Sequence, residues 1–255
     1  MCLVFLAYQH HPHYRLIVAA NRDEYFTRPS APAHYWSDHP QILAGRDLQE
    51  LGTWMGITTD GRFAGLTNYR DPRRHVTTPL SRGHLTAGFL QDKQSPTEYL
   101  NSITRQTQQY NGFNLLVGDQ QSLWYFSNVQ GQLLPITPGV HGLSNHLLNT
   151  PWPKLELGRQ QLVQFLTKND VIEEDLWSIL TSRQKPADDQ LPKTGVGLDW
   201  ERTLSSPFVE SPDYGTRSST ILLVGYNHMV RFVERVYHPS LSSWQEVSYE
   251  FQIKT

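Results

Sequence analysis

A chain of 255 residues with 22 basic and 24 acidic side chains carries a formal charge of −2, which leaves no basic field for holding nucleic acid. Hydrophobic residues make up 38% and aromatic residues 11%, enough for a buried core in one large domain or two average ones. A single cysteine excludes an internal disulfide framework and fits a reducing compartment, so a soluble cytoplasmic protein is expected. No apolar stretch approaches the roughly 18 residues of a membrane span. The opening MCLVFLAYQHHPH has no basic leader and no small-residue cleavage site, and reads as a strand, not a signal peptide.

Residues 2–9 and 14–21 are apolar, β-rich runs separated by His10-His11-Pro12-His13, which predicts a hairpin. With the turn centred near residues 11–12, Cys2 falls opposite residues 21–22, and Asn21-Arg22-Asp23-Glu24 closes the second strand beside it. Residues 26–51, rich in Pro, His and Asp, read as a long irregular excursion. GTWMGITT and RFAGLTNY flank Asp60-Gly61, a tight-hairpin signal, and this hairpin ends at Thr67-Asn68-Tyr69-Arg70. Helices are predicted over 83–92 and 96–106, the second opened by Ser95-Pro96. A third hairpin joins FNLLVG to LWYFSN, and a short strand reaches Gly142-Leu143-Ser144-Asn145. Helices near 152–167 and 171–182 precede a Pro- and Gly-rich loop over 184–215. Strands over 217–225, 229–237 and 245–253 close the chain. Strands thus lead and return around central helices, which predicts an α+β fold with antiparallel sheets.

The only cysteine directly follows the initiator methionine. Methionine aminopeptidase trims Met1 before a small residue, leaving a thiol and a free α-amine on Cys2. The amine has a pKa of about 7.7–8.0, so its neutral fraction can accept the thiol proton. Asp23 could orient that amine, while Arg22 or Arg217 would lower the thiol pKa. Strand-end asparagines suit oxyanion stabilisation, on the order of 3 kcal/mol each. His10, His11 and His13 lack carboxylate or thiolate company and read as a solvated turn, with no metal site expected. Arg70 with Asp71 to Arg74 makes a small basic patch.

Asn21-Arg22-Asp23-Glu24 is the tetrad that gives the NRDE family its name, and the chain resembles that family, also called the transport-and-Golgi-organization family, from end to end. The matching segments are MCLVF, LIVAANRDE with RPS, GTWMGI, LTNYRDP, YNGFNLL, GLSN with TPWPK, YGTRSSTILLV and SYEF. The resemblance implies one domain over 1–255 with an N-terminal nucleophile (Ntn) hydrolase fold, a four-layer αββα sandwich of two antiparallel sheets between helices. Within that superfamily the pattern is similar to the cysteine acylases, such as penicillin V acylase and bile salt hydrolase. Cys2, Asn21 and Asp23 match their motif, but Ala20 stands where they have arginine; Arg22 lies two residues on, on the same strand face. The resemblance implies Asn68 and Asn145 as oxyanion partners and Arg217 as a second cation, with Asn21, Arg22, Glu24, Tyr69 and Arg70 supporting. It implies an amide or thioester hydrolase of a small molecule that requires no cofactor. The alternative it implies is a non-catalytic carrier of haem or acyl-coenzyme A, with Cys2 as an iron ligand. Oligomeric state is left open.

Overall fold

The computed structural model describes residues 2–73, 80–168, 170–238 and 243–254. In chain order the strands are β1 (Cys2–Tyr8), β2 (Tyr14–Tyr25), β3 (Ser30–Tyr35), β4 (Ile42–Asp47), β5 (Met55–Thr58), β6 (Phe63–Asn68), β7 (Phe113–Gly118), β8 (Leu123–Ser127), β9 (Leu133–Pro135), β10 (Gly139–Leu143), β11 (Tyr214–Gly225), β12 (Met229–His238) and β13 (Ser243–Gln252). The helices are α1 (Gly83–Gln91), α2 (Pro96–Thr104), α3 (Pro153–Phe165), α4 (Glu173–Leu180) and α5 (Leu198–Thr203). No helix among the described residues is long and apolar enough to cross a membrane.

The chain divides into two compact units, one built from 1–27, 138–144 and 148–251, the other from 28–137, 145–147 and 252–255. The first holds a six-stranded antiparallel sheet in the order β10-β1-β2-β11-β12-β13. Early and late strands share it, as the sequence order predicts. Leu3, Phe5, Ala7, Ile17, Ala19, Ile221 and Leu223 line one face of the pleat at period two, and pack with Trp152, Leu155, Leu176, Trp177 and Leu180 of the α3–α4 region. Gly158 of α3 lies against the Phe5 ring, where a Cβ has no room. The β1–β2 turn is a structural element in its own right. His11 is buried, its Nε2 3.3 Å from the Lys168 carbonyl and its Nδ1 accepting from the His13 amide at 3.2 Å, so the solvated reading fails for this one histidine.

The second unit is a seven-stranded antiparallel meander, β3 through β9 in sequence order. α1 and α2 cover it through Leu85, Phe89, Leu90, Leu100 and Ile103 on Trp36, Ala64, Leu66, Leu115 and Phe126. The Ser95-Pro96 start of α2 is a full capping box with Glu98. Gly61 turns the β5–β6 hairpin at φ +84, a conformation that strains other residues.

Three sequence expectations are corrected. Residues 26–51 are not irregular, because they contain β3 and β4. β3 is an edge strand, where Pro32 needs no ladder donor, and a bulge between Ala31 and His34 breaks the alternation that would have betrayed it. The 184–215 segment contains α5, and β9 was not anticipated. The NRDE tetrad lies inside β2, which runs on to Tyr25 because β11 pairs with it as far as Tyr214.

Candidate active site

Cys2 pairs directly with Arg22, as the hairpin arithmetic predicts, and Arg22 pairs in turn with Ser218 on β11. Directly paired residues point to the same face, so Cys2, Arg22 and Ser218 form one row across three strands. The next row is Leu3, Asn21 and Ser219 on the opposite face. The tetrad is therefore divided by strand alternation and does not converge as a block on the thiol.

Asn21 belongs to the scaffold. Its Nδ2 donates to the carbonyls of Leu180 at 2.8 Å and Pro207 at 3.0 Å, and its Oδ1 accepts from Ser219 Oγ at 2.6 Å. The Leu180 carbonyl belongs to the last turn of α4 and has no partner within the helix, so Asn21 ties that end to β2. Asp23 is also buried. Its Oδ1 accepts from Thr216 Oγ1 at 2.8 Å, and its backbone carbonyl accepts from the Tyr214 hydroxyl at 3.0 Å. Glu24 accepts from the Tyr25 amide at 2.9 Å.

Arg217 sits at a register shift. Thr216 pairs with Asp23 and Ser218 with Arg22, so Arg217 is the extra residue of a bulge facing the centre of the tetrad. Such bulges re-aim a side chain, and here the guanidinium donates to the carbonyls of Tyr25 at 2.8 Å and Phe26 at 3.3 Å. Burial and the neighbouring Arg22 push its pKa down, with Glu24 opposing.

Burial pushes the Cys2 pKa above the ordinary thiol value; Asp23 and Glu24 reinforce the rise, and positive charge, including that of Arg22, opposes it. With Met1 in place, desolvation and the two carboxylates outweigh the cations; the expectation concerned the trimmed chain, in which Cys2 carries its own amine.

The second unit gathers Asn68, Tyr69, Arg70 and Asn145. Asn145 Nδ2 donates to the Asn68 carbonyl at 3.0 Å, and Asn145 Oδ1 accepts from Arg70 at 3.3 Å. The Tyr69 hydroxyl lies 2.9 Å from His146 Nε2, and burial pushes the His146 pKa down. Sequence reasoning missed His146, although it directly follows the GLSN motif. Arg74 of the basic patch lies outside the described residues; Arg73 forms a two-point ion pair with Asp71, the shorter contact being 2.9 Å.

Comparison with solved structures bears on the fold. A Caenorhabditis elegans N-acylethanolamine-hydrolyzing acid amidase ortholog matches with a TM-score of 0.52 at 11% identity, over 87% of this chain and 92% of that one. The C2A mutant of a conjugated bile acid hydrolase from Clostridium perfringens matches with a TM-score of 0.52 at 9% identity, over 97% and 92%. The fold is that of the Ntn hydrolases. The model of the Transport and Golgi organisation 2 family matches residues 1–239, and a human Transport and Golgi organization protein 2 homolog is 36% identical over the whole of both chains. The chain belongs to this family.

Proposed function

We propose that the chain is an Ntn-type hydrolase of an amide or thioester bond in a small cytoplasmic molecule, with Cys2 as its nucleophile. The supporting observation is the register that seats the only thiol, at the start of β1, in one row with Arg22 and Ser218, with Asp23 within electrostatic reach. One of the two fold neighbours is a hydrolase studied as a mutant in which the cysteine at its second position is replaced.

A thiol held neutral by burial does not ionise unaided, so the mechanism needs a base. Removal of Met1 supplies the α-amine of Cys2 itself. The neutral amine takes the thiol proton as sulfur attacks the carbonyl carbon. Collapse of the tetrahedral adduct breaks the amide or thioester bond, and the leaving amine or thiol takes that proton. Water, deprotonated by the same amine, then attacks the acyl carbon; the C–S bond breaks, the carboxylic acid leaves, and the Cys2 sulfur takes the proton back from the amine. Asp23 holds the α-ammonium in place, and Arg22 supplies the positive charge that acylases place one strand-alternation earlier, where this chain has Ala20.

The test is a panel of reactive acyl and amide probes on wild type and Cys2→Ser, with intact mass measured first. Expected are loss of Met1, label on the N-terminal peptide, and no label in Cys2→Ser. Full retention of Met1, or equal labelling of the variant, would overturn the hydrolase reading and leave a carrier of acyl-coenzyme A.

A further inference from the structure

The first unit carries a concavity at the outer ends of β2 and β11. A pocket of about 270 Å³ is lined there by Tyr25, Tyr214, Trp200, Asp199, Asp213 and Thr203, among others. Tyr25 and Trp200 each meet the buried Tyr214 ring edge to face, with centroids 5.1 and 5.7 Å away and planes at 77° and 76°. Rings set at right angles make walls, not a stack, and so present π faces on more than one side. Tyr25 is 52% and Trp200 40% exposed, a large aromatic area left open to solvent at one spot.

The charge of the rim selects the ligand. Two carboxylates line the pocket, and none of the described residues lining it is Lys, Arg or His. Asp199 gives one oxygen to Arg202 at 3.0 Å, whereas the Asp213 carboxylate makes no hydrogen bond or ion pair among the described residues. Aromatic faces and carboxylates both attract positive charge. The walls join three rings and Pro212 to the oxygens of Asp199, Asp213, Thr203 and Ser211, so the apolar faces suit the methyl groups of a methylated ammonium and the carboxylates its charge. The volume lies just below the roughly 300–1,000 Å³ of sites for drug-sized ligands, which suits a headgroup.

We propose that this pocket binds a small organic cation of the quaternary ammonium class, through a trimethylammonium headgroup held by Tyr25, Trp200 and Tyr214 and neutralised by Asp213. The site is independent of the chemistry assigned to Cys2. The experiment is calorimetric titration of the full chain with choline chloride at fixed ionic strength, beside the uncharged tert-butyl analogue of choline. Choline is expected to bind saturably. Binding should weaken about fivefold or more in Trp200→Leu, which keeps apolar area but loses the π face, and for the uncharged analogue. Asp213→Asn, at an exposed position, should weaken choline but not the analogue. Absence of saturable binding would overturn the proposal. So would equal affinity for the analogue, or an unchanged affinity in a folded Trp200→Leu or Asp213→Asn.

Discussion

Two adjacent rows of one sheet have been put to different uses. In the row of Leu3, Asn21 and Ser219, both Asn21 donors and its acceptor are satisfied by Leu180, Pro207 and Ser219. In the row of Cys2, Arg22 and Ser218, the buried Ser218 hydroxyl has no hydrogen-bond partner among the described residues, and Cys2 as a residue is only half-buried. Closed networks hold a fold in one arrangement, whereas a buried polar atom without a partner calls for an explanation. Asn21 of the NRDE signature is therefore scaffold, and the signature's arginine alone shares a row with Cys2.

The largest effect that would break this comparison comes from Asn21→Ala. It leaves the carbonyls of Leu180 and Pro207 and the Ser219 hydroxyl buried without their partner, at about 1–3 kcal/mol each. A loss of about 3–5 kcal/mol in denaturant unfolding is expected; under 1 kcal/mol would mean the row is not a scaffold. Ser219→Ala removes one bond of that set and is expected to cost about 1–2 kcal/mol. Ser218→Ala, one residue away, is expected to change stability by less than about 0.5 kcal/mol or to raise it, since it removes a buried hydroxyl that has no partner to lose. Comparable losses from the two serines would erase the distinction between the rows.

How much of this was legible depends on range. The Cys2–Arg22 register was readable because a short proline turn between two apolar runs fixes a hairpin's pairing locally. The α2 start was readable from Ser95-Pro96 for the same local reason. The pairing of β2 with β11 joins distant parts of the chain, so neither the extension of β2 through the tetrad nor the bulge at Arg217 had a local signal. The bulge matters most, since one added residue decides which side chain faces the tetrad. Alternation within Asn21-Arg22-Asp23 was in principle readable, but which face met helices depended on where α4 packs. The burial of the thiol, which opposes the charges around it, is something a sequence does not display.

A small stability effect is also expected of Asp23→Asn, within about 1 kcal/mol, because the amide oxygen of Asn still accepts from Thr216 Oγ1. Its value lies in two readouts that move in opposite directions. Asp23 raises the Cys2 pKa, so neutralising it lowers that pKa, and alkylation of Cys2 by a small electrophile at fixed neutral pH should quicken. Each unit of downward shift would raise the thiolate fraction about tenfold. Because the folded pKa is raised, the unfolded chain ionises first as pH rises, and Cys2 withdraws stability from about pH 8.5 upward; the variant should soften that decline. Turnover of any acyl substrate identified by the probe panel should nevertheless fall, since the α-ammonium loses its anchor. Faster alkylation with slower turnover would assign Asp23 to positioning the base and not to activating sulfur. If both fall together with thermal stability, Asp23 belongs with Asn21 in the scaffold, and the row of Cys2 and Arg22 alone carries the chemistry.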